Sequence, residues 1–179
     1  MTLIIATGGP LAVPLDDLKA YLKISLDDED VALNDLIRAA SDAAERFLGQ
    51  LVIARSVEEV LAAGGGWRKL AIRPVRGITL VAGIPADGPE FALPIDNYAI
   101  DIDAGGTGWV RVINPGAAGR VRVTYEAGVA GDQSAVPEAI RHAIVRLAGE
   151  FHAAREGLEP ELPASVSALL RPWRRMALA

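Results

Sequence analysis

Asp27-Asp-Glu-Asp-Val-Ala-Leu-Asn-Asp-Leu-Ile-Arg-Ala-Ala-Ser-Asp-Ala-Ala-Glu-Arg-Phe-Leu-Gly49 reads as one amphipathic helix with both of its ends marked. Val31, Leu33, Leu36, Ile37, Ala40, Ala44, Phe47 and Leu48 recur at the spacing that gathers side chains on one helix face. Arg38, Asp42 and Glu45 fall on the other side. Asp27 or Asp28 offers a carboxylate to cap the first free N–H groups, and Gly49 can adopt the left-handed conformation that stops a helix. A helix with one apolar stripe needs something to lie against, so the rest of the chain must supply a second apolar surface.

Two further helical segments do so. Pro14 to Ile24 places Leu15, Leu18 and Leu22 at helical spacing with acids in the first turn, but it is too short to stand alone. Pro137 opens a later helix at a position where its missing N–H is harmless, and Ile140, Ile144, Leu147, Ala148 and Phe151 form its stripe. Gly157 and Pro160 are expected to end it, and Pro163 to Leu170 reads as a last short helix broken by Pro172.

Between Leu51 and Ala127 the period changes to that of strands. Trp67–Ile72, Ile78–Ile84, Tyr98–Ile102, Trp109–Ile113 and Val121–Tyr125 are short β-type runs separated by glycine- and proline-rich turns. Leu51 to Leu61 fits helix or strand and is read as strand. The expected fold is therefore α+β, with residues 1–50 and 128–179 forming a helical core around a β-rich insertion at 51–127.

Composition narrows the function. The 179 residues include no cysteine, which excludes disulfides and thiolate metal sites. No apolar run approaches the ~18 residues needed to span a bilayer. The opening Met-Thr-Leu-Ile-Ile is a poor signal peptide, so an intracellular origin is expected and no membrane partner. Aromatics are only 5%, so the core rests on Ala, Val, Leu and Ile, which points to help from neighbouring subunits. The net charge of −5 is uneven: Asp16, Asp17, Asp27, Asp28, Glu29, Asp30 and Asp35 crowd the start, and Arg171, Arg174 and Arg175 crowd the end.

No catalytic signature emerges, and no cofactor is expected. His142 and His152 stand ten apart, not the four that a helical metal pair uses, and neither has a carboxylate at useful spacing. Gly64-Gly-Gly66 is followed by Trp-Arg rather than by the Lys-Ser or Lys-Thr of a phosphate loop, and Gly105-Gly-Thr-Gly108 opens no helix. Asp96, Asp101 and Asp103 could gather on a divalent cation, but a strand with polar ends is the simpler reading. Arg68, Lys69, Arg73 and Arg76 make a modest basic patch beside Trp67, too weak for a DNA-reading surface on an acidic chain. A small interaction or ligand-binding domain, with a site among Asp96, Asp101, Asp103 and Arg111, is the competing reading, and an enzyme ranks below it.

The tail is the segment richest in interface residue types. Val166, Leu169, Leu170 and Trp173 are apolar at helical spacing, with Arg171, Arg174 and Arg175 around them. They either cap the chain's own core or meet a partner.

Several stretches, taken in order, resemble the head–tail connector (adaptor) proteins of long-tailed bacteriophages and of phage-derived gene transfer agents. They are Leu15-Asp-Asp-Leu-Lys-Ala-Tyr-Leu-Lys-Ile24, Asp27-Asp-Glu-Asp30 and Leu36 to Gly49; then Leu70-Ala-Ile-Arg-Pro-Val75 and Tyr98-Ala-Ile-Asp101; then Val121-Arg-Val-Thr-Tyr-Glu-Ala-Gly128, Val136-Pro-Glu-Ala-Ile-Arg-His-Ala-Ile144 and Ser165-Val-Ser-Ala-Leu-Leu-Arg-Pro-Trp173. The resemblance implies a non-enzymatic virion protein in the neck of a phage or gene transfer agent, assembled from the bacterial cytoplasm. It would form a ring of twelve copies under the portal protein, receive a stopper or tail-completion protein, and let DNA pass without sequence-specific binding. Residues 163–179 would dock on the portal, with Val166, Leu169, Leu170, Trp173, Arg174 and Arg175 as contact candidates. Asp27, Asp28, Glu29, Asp30, Arg38 and Asp42 become candidates for neighbour contacts or the channel wall.

Overall fold

The structure, a computed structural model, describes residues 2–6, 9–154 and 162–174. It has an α+β architecture that divides into two compact units, residues 9–53 with 129–179 and residues 1–8 with 54–128.

The first unit is helical. It contains α1 (Leu15–Leu22), α2 (Asp30–Leu48), α3 (Glu138–Ala153) and α4 (Ala164–Leu170). Leu33, Ile37, Ala40, Ala44 and Leu48 of α2 meet Ile140, Ala143, Ile144, Leu147 and Ala148 of α3 in one buried cluster. Leu18, Val166 and Leu170 join the same cluster, so all four helices share one core. Each fully buried Leu or Ile contributes roughly 1.5–3 kcal/mol of apolar transfer. Val52 and Ile53 complete the cluster, with Val129 and Ala130 donating backbone N–H bonds to Leu51 and Val52.

The helix ends follow chemistry that the sequence signals only in part. Gly49 stops α2 at φ 65°, a left-handed value that costs any residue with a Cβ. At the other end, Glu29 rather than Asp27 or Asp28 occupies the N-cap, and no side chain caps the helix. Asp27 instead turns to Lys19. Val31, expected in the buried stripe, is 78% exposed, because Leu33 and Ile37 set the buried meridian and Val31 lies two residues off it. The helix opened by Pro137 ends at Ala153; Gly157 and Pro160 lie outside the described residues. Pro172 sits inside a 3₁₀ turn, Arg171–Trp173, that follows α4 directly.

The second unit is built from antiparallel sheets. A five-stranded sheet has the order β1 (Thr2–Ile5), β2 (Arg55–Ala62), β8 (Ala118–Ala127), β4 (Val75–Pro85) and β5 (Phe91–Ala92). A three-stranded sheet has the order β3 (Arg68–Lys69), β7 (Gly108–Val112) and β6 (Tyr98–Ile102). Val57, Val81, Val121, Val123 and Tyr125 of the larger sheet are buried, as are Val110 and Val112 of the smaller. The segment at 51–61 becomes a strand from Arg55, while Leu51, Val52 and Ile53 before it are buried.

Two features of this unit depart from the sequence reading. Thr2–Ile5 is a strand paired with β2, Thr2 opposite Val60 and Ile5 opposite Val57, so the sheet takes residues from before the helices. The Trp67–Ile72 run is a strand only over Arg68–Lys69. Leu70 N–H still bonds to the Gly108 carbonyl of β7, but beyond it the backbone turns to side chains: Ala71 N–H donates to Glu59 Oε2 at 2.9 Å and Ile72 N–H to the Tyr125 hydroxyl at 3.2 Å. A segment whose N–H groups are satisfied in this way has no need of a strand partner.

Candidate functional site

The tail, the acidic turn and the β unit each carry polar groups whose surroundings define what they can do. In the tail the candidate residues separate into two classes. Val166 and Leu170 are buried in the helical core, and Leu169 is partly buried against it. Trp173 is 39% exposed, and Arg171 and Arg174 are exposed. Two contacts hold this end in place. Gln50, itself buried, donates from Nε2 to the Trp173 carbonyl at 2.7 Å, and the Arg174 guanidinium stacks over the Phe47 ring at 5.1 Å from its centroid. The apolar half of the tail therefore serves the chain's own fold, and the Trp–Arg half is presented to the outside. Arg175 lies outside the described residues.

The acidic turn is knit to α1 and α3. Lys19 Nζ donates to Asp27 at 2.6 Å and to Asp30 at 2.8 Å. The hydrogen bond to Asp27, and then that to Asp30, raises the Lys19 pKa, while Lys19 lowers that of Asp27. Glu29 faces His152 of α3, with 3.4 Å between Oε2 and Nε2. The expectation that neither histidine has a carboxylate at useful spacing thus fails for His152: its partner is 123 residues away in sequence, and helix packing brings the two together. Asp28, Arg38 and Asp42 are exposed, and Arg38 donates to the Gly9 carbonyl at 3.2 Å. His142 lines a surface cleft of about 320 Å³ with Asp17, Tyr21, Glu138 and Arg141.

In the β unit the polar groups serve as structural ties. Glu59 is 1% exposed; its Oε2 accepts from the Tyr125 hydroxyl at 3.0 Å and from Ala71 N–H, and its Oε1 meets no hydrogen-bond partner among the described residues. Burial, reinforced by the Glu59 carboxylate, pushes the Tyr125 hydroxyl well above the ordinary phenol range. Arg122 of β8 joins Glu90, in the loop before β5, at 2.7 Å and Glu58 of β2 at 2.6 Å. Asp103 caps the turn between β6 and β7, where Oδ1 accepts from Gly105 and Thr107 N–H and Oδ2 lies 3.5 Å from the Trp109 indole nitrogen. The Thr107 backbone hydrogen bond is the main reason the Asp103 carboxyl is held below its usual range. Asp103 is therefore engaged as a turn cap, and no group of three or more metal-ligating side chains occurs among the described residues. Among those residues no helix is long and apolar enough to cross a membrane.

Residues 13–64 match the sequence profile of the phage gp6-like head-tail connector protein family. This stretch holds α1, the acidic turn, α2 and β2. Over that stretch the chain resembles the phage head–tail connectors. Three solved chains extend the likeness to the whole fold. One is from the neck of an empty gene transfer agent particle computed with C6 symmetry, with a TM-score of 0.81 at 26% identity over 100% of this chain and 98% of that one. A second is from the virion of a native gene transfer agent particle, with a TM-score of 0.77 and the same identity and coverage. The third, from the neck of a native particle computed with C12 symmetry, has a TM-score of 0.78, again at 26% identity over 100% and 98% of the two chains. No curated protein sequence matches the chain.

Reasoning along the chain missed Gln50, Phe47 and His152 as partners of functional candidates. Each contact is between residues more than a hundred positions apart, and no local pattern marks it. The one available signal was Gln50 itself, a polar residue following a helix stop just before an apolar run.

Proposed function

We propose that this chain is a structural protein of a particle neck, a head–tail connector with no catalytic role. Twelve copies form a ring beneath the portal protein, the exposed Trp173–Arg174 end docks on that portal, and the opposite side of the ring receives a stopper or tail-completion protein. DNA passes through the central opening without sequence-specific contact. The observation that carries this reading is the match to gene transfer agent neck chains over 100% of this chain and 98% of each of them. The exposed acids support the DNA passage: carboxylates such as Asp28 and Asp42 on a channel wall repel phosphates and let the duplex slide. Trp and Arg, the residue types that dominate interface energetics, support the docking role of the tail end.

The test leaves the core residues of the tail untouched. Arg171→Glu with Trp173→Ala and Arg174→Glu should give particles with filled heads and no tails, while the isolated variant keeps its helical circular dichroism. Normal tailed particles from this variant would refute the docking role.

A further inference from the structure

We infer that one copy joins the next by strand addition: the free edge of β1 pairs antiparallel with the free edge of β6 in a second copy of this chain. This inference rests on the ring reading above and deepens it.

β1 and β6 are edge strands, one on each sheet. In an antiparallel pair, alternate residues bond to the partner strand, and those between them turn their N–H and C=O the other way. Ala6 N–H bonds to the Ser56 carbonyl, the next position in the register that sets Ile4 opposite Glu58. Thr2 and Ile4 therefore face β2, and Leu3 and Ile5 turn outward. On β6, Ile113 N–H bonds to the Asn97 carbonyl and Asp103 N–H to the Thr107 carbonyl, so Ala99 and Asp101 face β7. Tyr98, Ile100 and Ile102 turn outward.

The same residues carry apolar side chains on the core side of their sheets. Leu3 and Ile5 lie opposite the buried Glu59 and Val57, and Ile100 lies opposite the buried Val110. Yet Leu3 is 37% exposed, Ile100 45% and Ile102 38%. Placing Leu3 opposite Ile102 and Ile5 opposite Ile100 satisfies both backbones and joins two apolar faces in one step. Neither strand contains the Lys, Arg or Pro with which proteins blunt an exposed edge. The other edges offer less. β3 and β5 are two residues each, and β4 beyond β5 is broken by register shifts at Val75/Gly77 and Ile78/Leu80.

The occupant follows from complementarity. A free strand edge is matched by another strand edge, and among the described strands the chain offers two of similar length, four residues in β1 and five in β6. Pairing β1 with β1, or β6 with β6, is two-fold and ends at a dimer. Pairing β1 with β6 leaves one edge of each kind free at the two ends, so the contact repeats until a ring closes. An extended segment of another particle protein would take one edge and leave the other bare.

The chain has no natural cysteine, and Ile4 and Asp101 oppose each other in this register on the side away from the core, both exposed. Full-length Ile4→Cys and Asp101→Cys chains, incorporated together into particles and treated with a short bismaleimide, should give dimers. Each single variant alone should give none, and Ile4→Cys/Asp101→Cys should give a ladder of multimers. Leu3→Pro removes an outward donor without touching the β2 ladder. The isolated Leu3→Pro chain should keep its circular dichroism, while its incorporation into particles should fall about three- to tenfold, the worth of one hydrogen bond. Mixed single variants present in particles without a dimer, or Leu3→Pro incorporated as well as wild type, would overturn the inference and leave the ring standing. A dimer from either single variant alone would mean two-fold pairing and overturn it too. A cross-link from Ile4→Cys to a different particle protein would assign the edge to that protein, again against the inference. A wild-type chain missing from particles would overturn the ring reading itself.

Discussion

Leu170 and Arg174 stand four residues apart in the tail, yet their loss should be felt in different places. Leu170 is fully buried in the helical core, where α4 packs on α2 and α3. Truncating such a leucine costs about 2–5 kcal/mol through lost transfer and the cavity left behind. With a urea slope of roughly 1–3 kcal/mol per molar, Leu170→Ala should lower the unfolding midpoint by about 1–2 M. If α4 detaches before the rest unfolds, the same loss should appear as faster amide exchange across 164–170, because a seven-residue helix has no stability of its own. Arg174 makes an exposed contact with the Phe47 ring, worth about 0.5–1 kcal/mol, so Arg174→Ala should barely move the midpoint. Chemical denaturation followed by circular dichroism, with exchange mass spectrometry on the same samples, measures both. If Leu170→Ala leaves midpoint and exchange unchanged, α4 is not part of this core, and the division of the tail into a packed half and a presented half is wrong.

Three further outcomes follow from the β unit. Glu59→Ala strands the Tyr125 hydroxyl and the Ala71 N–H in a buried site and should destabilise by about 2–4 kcal/mol, while Glu59→Gln, which keeps an acceptor, should cost much less in the same urea titration. Gly106 has φ 73°, and a Cβ there would lie 2.7 Å from Pro74, so Gly106→Ala should lower stability by about 1–3 kcal/mol in thermal melts. The Asp103 carboxyl is held below its unfolded value of 3.8, so its contribution is present above that pH and is lost as pH falls through the lower folded value. Trp109 fluorescence should accordingly change in acid below pH 3.8 in the wild type and not in Asp103→Ala, since the carboxylate and the indole are neighbours.

What was legible in the sequence follows the range of the forces involved. The α2 stripe and the Gly49 stop are set by residues within one or two turns, so periodicity found them; β6 matched its run from Tyr98 to Ile102 without change. Val31 was misplaced because a stripe read from spacing has a width, and only packing against α3 fixes its centre. The strand at Thr2–Ile5 was missed because its partner β2 lies beyond two intervening helices. The candidate docking residues were named from residue type, helical spacing and the resemblance of the tail. Separating Val166 and Leu170 from Trp173 and Arg174 required knowing which face of α4 meets the core. The pairing of Glu29 with His152 likewise depends on helix packing that no local pattern encodes.

The most direct test of the account is electron microscopy of this chain mixed with the portal protein of its own particle, with the neck reconstructed without imposed symmetry. The account predicts a closed ring of twelve copies seated on the portal, its central opening wide enough for duplex DNA. A chain that stays monomeric beside the portal, or that binds it as a single copy without closing a ring, would contradict it.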